Sequence, residues 1–225
     1  MNRLTSGSRL WLVVLPALLA ANVALAALAA VYATFPGDEW ALTSFQSHRT
    51  SAMDDLARGI TRLGDVGPVV ASLAALWLFL WFTHRRRELA ASLMIPLAEL
   101  LGFGVKVLVG RGRPELLLFP PGPESAAFPS GHAIHAVLFF GFLVYLCYLH
   151  LHRAWLRRAI QGLIVLGILV VSASRVYMGV HWPSDVIGGY LFGALFLLLL
   201  VRAVKGPKPG AIWQGRWGGP SDKIK

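Results

Sequence analysis

Lysine and arginine recur beside histidine, serine and aspartate in three short stretches of this sequence, a combination suited to phosphorus chemistry. The first holds Lys106, Arg113 and Pro114. The second is Pro129-Ser130-Gly131-His132. The third holds Ser174 and Arg175, followed by His181, Trp182, Pro183, Ser184 and Asp185. Two guanidinium groups and an ammonium gathered together form a clamp for phosphate oxygens. Ser130 and Gly131 fall where a helix begins, where unsatisfied N–H groups and the helix dipole favour an anion. Gly131 also lets the backbone approach closely. Neutral imidazole is a good nucleophile towards phosphorus. Asp185, four residues after His181, reaches the ring's Nδ1–H and fixes its tautomer if the chain turns helical near Pro183. His132 is then the group to protonate a departing oxygen and later to activate water. Each residue also has a plainer use taken alone: interfacial cations snorkel, Pro183 starts a helix, and Ser130 caps one. Metal binding is the rival chemistry, but no set of cysteines or carboxylates accompanies these histidines.

The elements that must position these groups are apolar. Of 225 residues, 56% are hydrophobic and 14% charged, against about 45–50% and 25% in ordinary soluble domains. That excess excludes disorder, and a single cysteine, Cys147, excludes an internal disulfide framework. Six apolar stretches, at about 11–33, 66–82, 88–109, 134–150, 159–178 and 184–203, are read as transmembrane helices, since backbone in hydrocarbon must satisfy its own polar groups. The second and fourth are short, so their flanks must complete the crossing. The expected fold is an all-α bundle of six transmembrane helices forming one domain over residues 1–225, with polar tails at 1–10 and about 204–225. With the N-terminus in the cytoplasm, 14 of the 21 lysines and arginines lie inside, so the positive-inside bias favours both termini in the cytoplasm. The formal charge of +10 is thereby assigned to topology and not to nucleic-acid binding. A cleavable signal peptide ending near Ala24-Leu25-Ala26 is the alternative for the first stretch, but its apolar run is too long for one.

Helix counting then puts all three polar clusters on the outer face, each at a helix end, where ionisable groups mark function by default. Three of the seven outer cations, Lys106, Arg113 and Arg175, belong to them.

In this arrangement the clusters closely resemble the three-part signature of the type-2 phosphatidic acid phosphatase family, integral-membrane lipid phosphate phosphatases. K-x6-R-P spans Lys106 to Pro114, P-S-G-H is Pro129 to His132, and S-R-x5-H-x3-D runs from Ser174 through Arg175 and His181 to Asp185. All eleven specified positions match. The resemblance implies that His181 attacks phosphorus with help from Asp185, forming a phosphohistidine. It implies that His132 serves as acid and then as base, and that Lys106, Arg113, Ser130, Gly131 and Arg175 hold the phosphoryl oxygens. No cofactor and no metal are expected. Soluble vanadium haloperoxidases share the signature, but six spans argue against them.

The substrate class implied is a lipid phosphate or diphosphate: a polyprenyl (undecaprenyl) pyrophosphate, phosphatidylglycerophosphate, phosphatidic acid or diacylglycerol pyrophosphate. Hydrolysis would take place at the exterior or periplasmic face of the plasma (inner) membrane. Phosphotransfer to another acceptor is a related reading. A binder or transporter of anionic lipids is the rival class, disfavoured because transport sites usually lie near the midplane. Oligomeric state is not legible.

Several residues keep two readings. Glu99, two turns below Lys106, either orients that lysine or is a protonated acid bonded to another helix. Ser174 stands behind the site. Arg111 touches a headgroup or faces water, Trp182 walls the pocket or sits at the interface, and His135 lines the site. Met53, Leu56, Ile60 and Leu63 form one helical stripe opposed by Asp54, Asp55, Arg58 and Arg62. That helix lies flat in the interface or packs over the bundle mouth. Leu116 to Phe119 dip into lipid or pack beneath their loop.

Overall fold

A computed structural model describes residues 6–116 and 126–206. Its regular structure is entirely helical over these residues. The helices are α1 (Ser6–Val31), α2 (Asp38–Ser47), α3 (Ser51–Thr61), α4 (Val66–Phe82), α5 (Arg86–Ser92), α6 (Met94–Val109), α7 (Gly131–His135), α8 (Gly141–His150), α9 (Ala154–Tyr177) and α10 (Pro183–Lys205). A π-helical stretch, Ala136–Phe140, joins α7 and α8 into one element. Leu117 to Phe119 and the tail beyond Gly206 lie outside the described residues, whereas Leu116 is exposed.

Among the described residues, five elements are long and apolar enough to cross a membrane: α1, α5–α6, α7–α8, α9 and α10. α4 has 17 residues, a rise of about 25 Å, short of the roughly 30 Å hydrocarbon core. It continues, through a 52° bend at Asp65, the helical segment Ser51–Gly64, and counting that pair brings the spans to as many as six. The break at Leu93 between α5 and α6 follows from Pro96, which offers no N–H to the carbonyl four residues back and crowds it.

α10 packs against α1, α5, α6 and α7. Where it meets α7 and the π-helical stretch, α10 offers bare glycine backbone. A Cβ on Gly189 would stand 2.7 Å from the Ser130 carbonyl oxygen and from Ala133 Cβ, and one on Gly193 would stand 2.8 Å from Val137. Small residues of this kind let membrane helices approach closely. The main core lies below, with Leu80, Ile95, Leu138, Phe142 and Leu200 fully enclosed. Outward-facing Leu108, Val66, Leu163 and Trp155 are largely exposed, as befits surfaces whose solvent is lipid.

α3 forms as its periodicity predicts, with Thr50 accepting from the Met53 N–H as N-cap. It packs against the end of the bundle, as the second of the two readings has it. Asp54, Ala57 and Thr61 form the face packed on α9, while Met53, Leu56 and Leu63 remain exposed. Asp54 is held there by Arg49 and by the Tyr177 hydroxyl, which donates at 2.7 Å.

Candidate active site

Each of the three sequence clusters sits at a helix terminus, and the termini meet. α6 ends at Gly110, whose positive φ of 62° closes the helix. Lys106 thereby stands in the last turn, and its Nζ donates to the carbonyls of Ala126 at 2.7 Å and Ala127 at 3.3 Å. Beyond the cap the chain runs to Arg113, whose Nη1 donates to the Val180 carbonyl at 3.0 Å. That bond ties the first cluster to the third. Ser130 is the N-cap of α7, and its N–H donates to the Asp185 carbonyl at 3.0 Å, tying the second cluster to the third. A Cβ on Gly131 would meet nothing within 4 Å, so there is open space beside this helix start.

Arg175 occupies the last turn of α9, and Gly179, at φ 70°, ends the turn that follows. His181 is 2% exposed, and Asp185 is fully buried in the first turn of α10 behind Pro183. The His181 Nδ1 lies 3.6 Å from Asp185 Oδ2. The same oxygen accepts the Trp182 N–H at 2.8 Å, the return half of a capping box. Burial holds His181 well below the usual imidazole range, and the charges of Lys106, Arg175 and Arg113 push the same way, against the Ala127 carbonyl. The imidazole is therefore neutral at pH 7, the form that carries a nucleophilic lone pair.

Three buried polar atoms here, Ser130 Oγ, Arg175 Nε and His181 Nδ1, have no hydrogen-bond partner among the described residues. Such atoms are costly to enclose, and here they belong to the hydroxyl of the second cluster and to a guanidinium and an imidazole of the third. Ser174, by contrast, spends its hydroxyl on the Val171 carbonyl of its own helix. Glu99 is bonded to another helix, its Oε1 lying 2.6 Å from His135 Nδ1. The His135 ring stacks on Phe139. Trp182 is buried, and its indole N–H donates to the Gly112 carbonyl at 3.3 Å.

Arg111 requires a correction. It contacts neither headgroup nor water, because its side chain is 1% exposed. Nη1 donates to Asp185 Oδ1 at 2.6 Å and to Ser184 Oγ at 2.7 Å, and Nη2 donates to Asp38 Oδ2 at 3.0 Å. The sequence reading also missed Thr61 and Gly64. The Thr61 carbonyl accepts from His132 Nε2 at 3.2 Å, and its hydroxyl accepts from Arg175 Nη1. Gly64 sits so close that a Cβ there would stand 2.1 Å from His132 Cδ2. The elbow between α3 and α4 therefore roofs the site. A backbone carbonyl leaves no signature in sequence. The glycine at the elbow was the only available hint.

Two apolar cavities flank α6 and meet the site at Pro129. One, of about 360 Å3, runs between α4, α6 and α7 from Lys106 and Gly131 down past Glu99. The other, of about 420 Å3, lies between α1, α6 and α10.

Residues 87–208 match the PAP2 superfamily. The chain is 29% identical over 156 residues to phosphatidylglycerophosphatase B of Bacillus subtilis, covering 66% of this chain and 73% of that protein. It is 34% identical over 125 residues to the undecaprenyl-diphosphatase of Sulfolobus acidocaldarius, covering 52% and 56%. The chain thus spans between about half and three quarters of the length of the curated relatives it matches. Its fold is similar to the crystal structure of a transmembrane PAP2-type phosphatidylglycerolphosphate phosphatase from Bacillus subtilis. The TM-score is 0.73 at 24% identity, over 83% of this chain and 94% of that one.

Proposed function

The chain belongs to the PAP2 superfamily, and from that premise we propose that it is a lipid phosphatase. It removes a terminal phosphate from a lipid phosphate or diphosphate at the outer face of the plasma membrane. The observation that carries this reading is the meeting of two histidines with Lys106, Arg113 and Arg175 at one end of the bundle. Two buried polar atoms there, Ser130 Oγ and Arg175 Nε, have no hydrogen-bond partner among the described residues, and Lys106, Arg113 and Arg175 all bear on His181.

In the mechanism, His181 attacks through Nε2, because Nδ1 is the nitrogen turned towards Asp185. A P–N bond forms as the P–O bond to the lipid breaks, and His132 gives its proton to the departing oxygen. Water then attacks the phosphohistidine, its proton passes to His132, and the P–N bond breaks to release phosphate. Since His132 Nε2–H is committed to the Thr61 carbonyl, Nδ1 is the nitrogen that exchanges the proton. Lys106, Arg113, Arg175, Ser130 and the N–H groups at Gly131 oppose the charge that develops on the phosphoryl oxygens. The protein's own cations supply this stabilisation, and no metal takes part. The two cavities beside α6 are apolar and suit acyl or prenyl chains. The relatives' names point to undecaprenyl diphosphate and phosphatidylglycerophosphate as first substrates to try.

The test is phosphate release by the purified chain from a panel containing both of these lipids, phosphatidic acid and diacylglycerol pyrophosphate, in excess EDTA. Wild type should turn over and carry an alkali-stable phosphoryl label, and His181→Ala should do neither. Label on the His181→Ala protein, or activity that returns only with added Mg2+, overturns the mechanism.

A further inference from the structure

Asp38 opens α2, distant in sequence from all three clusters, yet it is 3% exposed and bonded into the third. Its Oδ1 accepts the Ser184 N–H at 3.0 Å, and its Oδ2 accepts the Ser184 hydroxyl at 2.6 Å and Arg111 Nη2 at 3.0 Å. Arg111 bridges the two carboxylates, reaching Asp185 Oδ1 at 2.6 Å. Its remaining nitrogen, Nε, donates to the Ala33 carbonyl at 3.1 Å, and Phe35 lies under the guanidinium, 4.7 Å from its carbon. Every polar atom of this guanidinium is directed inward, so Arg111 is no part of the phosphate clamp.

We propose that Asp38 and Arg111 are positioning residues for the reaction, forming a buried relay Asp38–Arg111–Asp185–His181 that sets both the orientation of Asp185 and its net charge. The orientation follows from the bonds. Arg111 takes Oδ1 and the Trp182 N–H takes one lone pair of Oδ2, which leaves Oδ2 aimed at His181 Nδ1. The charge follows from counting. Arg111 alone would neutralise Asp185, and a neutral pair does little for a histidine that becomes positive as it attacks phosphorus. Asp38 restores one negative charge to the cluster, and the imidazolium character of the transition state balances it. The relay differs from a structural ion pair in this respect, because its total charge matters and not only its bonds.

This inference rests on the phosphohistidine reading above, and the experiment separates the two. Asp38→Asn, Arg111→Gln, the double variant and His181→Ala are made in the full chain in detergent. Each is assayed per folded enzyme on whichever lipid phosphate wild type turns over, with rapid-quench measurement of phosphoenzyme formation. Asp38→Asn should lower kcat about tenfold to a hundredfold, the size seen when a partner orienting a functional histidine is lost, with KM within about twofold and a slower phosphoryl burst. Arg111→Gln should fall further, because it leaves two carboxylates facing one another. Adding Asp38→Asn to it should raise kcat again by removing the uncompensated charge. A purely structural role predicts the reverse, a double variant no better than the worse single. If Asp38→Asn does not accumulate, Ser184→Ala deletes a hydrogen bond to each partner and no charge, and it should lower kcat several-fold at unchanged KM. Wild-type kcat in Asp38→Asn, or in Ser184→Ala where that variant is used, or a double variant below Arg111→Gln, overturns the relay. If His181→Ala is meanwhile inactive, the phosphatase mechanism survives that result, whereas an active His181→Ala removes both.

Discussion

Gly64→Ala is a one-methyl change that should disable the chemistry without replacing any of the proposed reacting groups. The new methyl would lie 2.1 Å from Cδ2, 2.7 Å from Nε2 and 2.9 Å from Cγ of His132. Ordinary contact begins near 3.4 Å, so ring and elbow must part by about 1.3 Å. The ring cannot retreat with its helix, because behind it α7 rests on the bare backbone of Gly189. Either the imidazole swings, losing its bond to Thr61, or the elbow lifts and takes the Thr61 hydroxyl away from Arg175. A displacement of about 1 Å at a reacting group costs about a hundredfold in rate, or about 2.7 kcal/mol of barrier. If His132 serves both steps as proposed, the loss should be smaller in phosphorylation by a diphosphate, whose leaving group needs little protonation. The alkali-stable phosphoenzyme should therefore accumulate with a diphosphate substrate and not with a monophosphate. Initial rates of phosphate release and trapping of labelled enzyme on both substrates are the assays. A Gly64→Ala enzyme with kcat within threefold of wild type and no such accumulation would refute the role given to the elbow.

Two further outcomes are expected. The His181 pKa is depressed by burial and by three cations, so the neutral imidazole persists below pH 6.5, and, if it is the nucleophile as proposed, the acid limb of kcat/KM should lie below that value. Lys106→Met removes one of those cations, raises the His181 pKa and should move the acid limb to higher pH. An unmoved limb in a pH–rate profile would assign it to another group. Glu99→Gln keeps a hydrogen bond to His135 and should leave kcat/KM near wild type, while Glu99→Leu strands the buried imidazole and should cost about 1–3 kcal/mol of stability in a thermal melt. A large loss of activity in the Gln variant would instead tie Glu99 to Lys106.

The parts of this molecule that were legible in sequence are those with a period or a local spacing. The apolar stretches recur as helices within a few residues of their expected bounds, and the three clusters fall at helix ends because Gly110, Ser130 and Pro183 are terminus residues. What stayed hidden is non-local or carries no side chain. Asp38 meets Ser184 across 146 positions and Arg111 across 73, and no window of sequence contains such a pair. Thr61 acts partly through a carbonyl, which every residue has. α3 shows a third limit. The apolar stripe marks the buried face of a helix in water, but here the exposed face is apolar and the buried face carries Asp54 and Thr61. Its period was legible and its inward side was not.

The glycine face of α10 gives the two site histidines a fixed gauge. His132 and His181 stand at the starts of two helices that touch through main chain at Gly189 and are bonded through main chain from Ser130 to Asp185. No rotamer lies in that contact, so neither repacking of side chains nor exchange of surrounding lipid can lengthen it. Substitutions on the lipid-facing surfaces of α6 and α9 leave that main-chain contact itself in place. Those surfaces, or the walls of the two cavities, can be reshaped with the two helix starts still held together by main chain.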